Sequence, residues 1–201
     1  MSPKPSAAAA RSKPGPTVPL STTFCTDDAE VIIRAEGALD FHVHKCILSF
    51  VSPVFKDMFT IPQPPTDAPG VLPHVDVQDP PEVWENILRT IYPMPNPTIG
   101  IDNLDGLESL LLTAKKYEMK FVIDSHKKYF GKWEFIRREP LHLYAIACAS
   151  GLEEQAKYVA SHAQLSAVAE KSSIGNIKCL TLDSYHGLVS FLVKRDDDPD
   201  I

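Results

Sequence analysis

A chain of 201 residues that is 44% hydrophobic and 23% charged can bury a full core without help from disulfides or metals. Its formal net charge of −6 argues against nucleic-acid binding by the body as a whole, because such binding rests on Lys and Arg neutralising phosphates. The cysteines, Cys25, Cys46, Cys148 and Cys179, make no C-x-x-C pair and no zinc-knuckle spacing, so reduced thiols in the cytoplasm or nucleus are expected.

Residues 1–22 read as a disordered tail, rich in Ala, Pro and Ser. The apolar run Ala7–Ala10 is too short for a signal peptide, and the prolines break the amphipathic helix a transit peptide needs. No apolar run reaches about 18 residues, so no membrane-spanning helix is expected. Order is expected from Thr23 onward. Residues 29–34 (AEVIIR) and 39–43 (LDFHV), with Glu36-Gly37 between them, predict a β-hairpin. From 45 to 59 the apolar period becomes helical, and Ser52-Pro53 divides it into two short helices with Ser52 as cap. Residues 60–73 form a proline-rich, extended loop, and His74-Val-Asp-Val77 is a short strand.

Asp79-Pro80-Pro81-Glu82 predicts a helix start with Asp79 as cap; that helix carries Val83, Trp84, Ile87, Leu88 and Ile91 and stops before Pro93. Leu104, Leu107, Leu111 and Ala114 make one apolar stripe of a helix over 104–117. A further helix is predicted over 121–133. Then 141–149 and 152–162, joined at Gly151, read as an αα-hairpin, and 182–194 as a last helix before an acidic, disordered tail at 196–201. Cys46 and Cys148 fall in apolar runs, where Cys usually behaves as a buried small hydrophobe.

Several local words agree with this order. Phe41-His42-Val43-His44-Lys45 resembles the F-x-x-H-K lead into the first helix of BTB/POZ domains. Ser52-Pro53-Val54-Phe55 with Met58-Phe59 is similar to the family's SPxFxxMF segment. The stretch 74–79, then Glu82-Val-Trp84 and Ile91-Tyr92, resembles the strand and third helix that follow, and Ala114-Lys-Lys-Tyr-Glu-Met119 the end of the fourth. The resemblance spans about half of the chain. Residues 92–97 and 140–148 are similar to a variant common among fungal BTB proteins.

The resemblance implies an α+β fold: a small mixed sheet of three strands flanked by helices over 23–136, then a helical, BACK-like extension over 137–195. It implies protein partners, a homodimer face and no cofactor. The apolar side chains available for that face are Ile47, Phe50, Val51, Val54 and Met58, with Phe50 and Val54 expected to point outward and self-packing of all five the alternative. Glu30, His44 and Lys45 correspond to the family's charged pocket, with Glu30 where Asp is usual; a structural ion pair is the plainer reading. Some relatives present substrates to a cullin-3 ubiquitin ligase through a hydrophobic-x-Glu motif. The nearest match is Ile61-Pro62-Gln63, where the neutral Gln63 cannot make a carboxylate's charge-assisted hydrogen bonds; Tyr92 matches a further contact position.

Two other functions, a metal site or enzyme and a DNA-binding module, fit the residues less well. His42, His44 and Cys46 alternate as zinc ligands on a strand would, but the helical period beginning near Lys45 turns Cys46 away. No nucleophile elbow or phosphate-binding loop is present to suggest an enzyme. The helical pair around Gly151 resembles a helix-turn-helix, yet its second helix begins Glu153-Glu154, which repels phosphate.

Overall fold

The computed structural model describes residues 18–61, 72–94, 101–164, 166, 168 and 177–197. Its sheet grows from a hairpin. In β2 (Val31–Ala35) Val31, Ile33 and Ala35 are buried while Ile32 and Arg34 are half-buried, the period-2 pattern of a strand with one face on a core. β3 (Leu39–Val43) returns antiparallel, pairing Ile33 with Phe41 and Arg34 with Asp40. The turn needs positive φ at both central residues, and Glu36 (48°) and Gly37 (68°) supply it. Across the hairpin, the Arg34 guanidinium donates to both Asp40 carboxylate oxygens at 2.7 and 2.8 Å.

β4 (His74–Val77) joins the free side of β2 in parallel, and β1 (Leu20–Cys25) joins β3 in parallel, giving the order β1-β3-β2-β4. The sheet therefore has four strands, one more than expected, and order starts before Thr23. Only Ser21 and Phe24 of β1 are buried. An edge strand with so little apolar alternation leaves a weak sequence signal.

α1 (Lys45–Val51) and α2 (Pro53–Thr60) form the expected pair of short helices. α3 (Pro81–Ile91) and α4 (Leu104–Lys116) follow, and Phe55 of α2, Trp84 of α3 and Tyr117 meet with ring centroids 5.1–5.8 Å apart. Asp79 does not cap α3. Its carboxylate instead accepts from Thr113 (3.1 Å), Lys116 (3.0 Å) and Tyr117 (3.1 Å), tying the start of α3 to the end of α4. One carboxylate facing three donors outcompetes a single backbone N–H.

The single helix expected over 121–133 is three pieces: α5 (Lys120–His126), a 3-10 turn (Lys127–Gly131) and α6 (Trp133–Arg138). Gly131 is a weak helix former, and Lys132 is extended (φ −71°, ψ 111°). The break brings Tyr129, Phe130, Phe135 and Ile136 all into the core.

α7 (Pro140–Ser150) is buried on nearly every side and packs on α4. Gly151, at φ 74°, closes it in the left-handed conformation, with Leu152 N–H donating to the Ala147 carbonyl at 2.8 Å. α8 (Glu153–His162) packs on the 3-10 turn. α9 (Leu182–Asp197) opens with Thr181 and Ser184 bonding each other's backbone N–H at 3.0 and 3.1 Å, and runs three residues beyond the expected end at 194, into the acidic segment. The main core extends from the sheet through Leu143, Ile146 and Val159, while Leu141, Ala160, Leu188 and Leu192 make a smaller one with α9. Cys46 and Cys148 are exposed, against expectation, because each lies on the outward side of its helix. Among the described residues no helix is long and apolar enough to cross a membrane.

Candidate functional site

α1 and α2 are too short to hold themselves together, so which side chains they bury decides their role. Each sends one large apolar residue fully inward, Leu48 and Phe55. Around these anchors Ile47, Val51, Val54 and Met58 are half-buried, and Phe50 is 91% exposed. Val54 and Met58 lean on the main core. Of the pair expected to point outward, Phe50 does so, whereas Val54 is half-buried against the main core. Ile47, Phe50 and Val51 fall at i, i+3 and i+4, one face of α1.

The polar residues gather where β3 meets α1. The Tyr92 hydroxyl, at the end of α3, accepts the His44 backbone N–H at 2.8 Å and lies 3.0 Å from His44 Nδ1. The other ring nitrogen, Nε2, faces Asp28 Oδ1 at 3.3 Å. That contact, with a further bond from Thr26, holds the Asp28 carboxyl below its ordinary range. Burial, chiefly, pushes the Tyr92 hydroxyl up. Glu30 accepts the Lys45 backbone N–H at 3.2 Å, satisfying an orphan donor of the first turn of α1, and the Lys45 ammonium lies 5.6 Å from the centre of the Phe59 ring. So Glu30 and His44 each reach this junction, but the Lys45 side chain turns away from Glu30 towards α2.

The third expected group is Ile61, Gln63 and Tyr92. Ile61 is 60% exposed directly after α2, Gln63 lies outside the described residues, and the Tyr92 hydroxyl is engaged by His44. Sequence reasoning also missed Asp28, whose only signal is the acidic pair Asp27-Asp28 before β2. A concavity of about 720 Å³ lies among α7, α8 and α9, lined largely by apolar groups of Tyr144, Leu152, Ala156 and Phe191.

These features are surfaces and fixed polar contacts around a sheet capped by short helices. No curated protein matches the chain. The BTB/POZ domain family model matches residues 21–132, more than half of the 201 residues, running from the second residue of β1 through the 3-10 turn. The chain belongs to the BTB/POZ domain family, whose domains mediate protein–protein interaction.

Proposed function

We propose that this chain is a non-catalytic, self-associating scaffold of the fungal BTB type. Its BTB domain, residues 23–136, docks on a second copy through α1 and α2, and the helical extension, residues 137–195, recruits a further protein partner. Phe50 carries this reading: a whole aromatic ring stands in water at 91% exposure, with Ile47 and Val51 beside it. Burying apolar area is worth roughly 25 cal/mol per Å², so a matching face on another chain would gain from covering it. Glu30, His44, Asp28 and Tyr92 serve the same face indirectly, by fixing where α1 begins. With reduced thiols, the protein works in the cytoplasm or nucleus.

Co-precipitation of two differently tagged copies tests this. Wild-type copies are expected to recover one another, and Phe50→Asp in both copies to cut recovery at least tenfold. Undiminished recovery with Phe50→Asp would remove α1 from the interface.

A cullin-3 adaptor role has narrower support. Ile61 leaves the end of α2 largely exposed, as a hydrophobic anchor would need. A pull-down with an amino-terminal cullin-3 fragment tests it: capture that Ile61→Asp abolishes supports the adaptor, and no capture leaves the scaffold.

A further inference from the structure

The seam between the BTB helices and the carboxy-terminal helices holds a side-chain set that interaction alone does not require. Glu108 of α4 is 4% exposed and His142, in the first turn of α7, is 6% exposed. Cys179, half-buried, comes from the segment just before α9. One carboxylate oxygen, one imidazole nitrogen and the thiol sulfur all lie within 4.8 Å of one another. We propose that Glu108, His142 and Cys179 bind one divalent transition-metal ion, with zinc the best match to the ligand set.

The ligand types favour this class of ion. A thiolate disfavours magnesium and calcium, which take oxygen, while sulfur, nitrogen and carboxylate oxygen together suit zinc. Zinc bonds of about 2.0–2.3 Å in a tetrahedron set ligand atoms about 3.3–3.8 Å apart. The Glu108 Oε2–His142 Nε2 distance is 2.8 Å, a hydrogen bond that opens by about half an ångström when an ion replaces the shared proton. Charge also balances. A carboxylate, a thiolate and a neutral imidazole cancel the two positive charges, which a buried ion requires.

The protons can be followed as well. On binding, the thiol proton goes to solvent, and the imidazole carries its hydrogen on Nδ1. That nitrogen faces Glu139 Oε2 at 3.6 Å, so a second carboxylate stands ready to orient the ring. Water fills the remaining coordination position. A buried Glu–His pair alone roughly breaks even against apolar packing, and the thiol beside it, pushed up to about 12 by burial and by its bond to Glu108, becomes a thiolate only where a cation compensates the charge. With the ion, α4, α7 and the segment before α9 become one unit, so the metal staples the extension to the BTB helices.

The full chain, stripped of metal by a chelator, is titrated with cobalt as a spectroscopic substitute for zinc. A thiolate-to-cobalt charge-transfer band saturating at one equivalent is expected, and Cys179→Ser should abolish it while Cys46→Ser leaves it. On the wild-type chain, one equivalent of zinc should slow alkylation of Cys179 at least tenfold and leave exposed Cys25 and Cys46 unchanged. This second readout needs no variant to fold. Absence of the band together with unprotected Cys179, or a band that survives Cys179→Ser, would overturn the proposal. Neither result depends on self-association through Phe50.

Discussion

Ser52 shows how much one hydroxyl decides. Its oxygen accepts the Phe55 N–H at 3.2 Å, capping α2, and its proton goes to the Tyr117 carbonyl at 2.6 Å. The cap was legible in the sequence, because Ser before Pro at a change of period is a helix start; the partner was not, lying 65 residues away. Removing the oxygen strands two buried backbone groups at once. Ser52→Ala is expected to cost about 2 kcal/mol by urea denaturation with an unchanged slope, and a loss under about 0.5 kcal/mol would mean solvent replaces both bonds. His126 gives a pH dependence. Burial holds its imidazole below the ordinary 6.5, although its bond to the Val122 carbonyl pulls the other way. Below pH 6.5 the unfolded chain takes up a proton that the folded chain resists, so this share of stability is complete above 6.5 and shrinks as pH falls towards the folded value. Denaturation at pH 7 and 5.5 should show His126→Gln losing less than the wild type over that interval.

Among the elements, legibility tracked the strength of the local pattern. The α4 stripe and the glycine-closed end of α7 stood out because apolar period and terminator agree. β1 was missed because it buries only two residues, and the break at Lys132 because tertiary packing of Tyr129 and Phe130 overrides a locally helical run. The face of α1 was half legible. Its apolar residues were evident, but which one reaches solvent depends on Leu48 and Phe55 filling the core first. Because Phe50 makes so little contact within its own chain, Phe50→Asp should change folding stability by no more than about 0.5 kcal/mol. A loss of several kcal/mol in urea denaturation would mean that the ring is structural.

At the scale of the molecule, two clusters share α7: the main core reaches it from the sheet, and α9 closes the smaller cluster behind it. The BTB words were spread along the chain in the family's order, which is why the architecture could be read from sequence. The polar junction could be read only in part, since the contacts of Asp28 and Tyr92 with His44 depend on strands and helices that meet across distant positions. The Glu108–His142–Cys179 set was invisible for the same reason: its members are 34 and 37 residues apart in the chain and fit no spacing motif. The central claim is self-association through α1. Multi-angle light scattering of the purified chain across a concentration series tests it most directly: the account predicts a dimer mass that Phe50→Asp lowers to that of a monomer, and a wild-type monomer at every concentration, or a dimer that Phe50→Asp leaves whole, would contradict it.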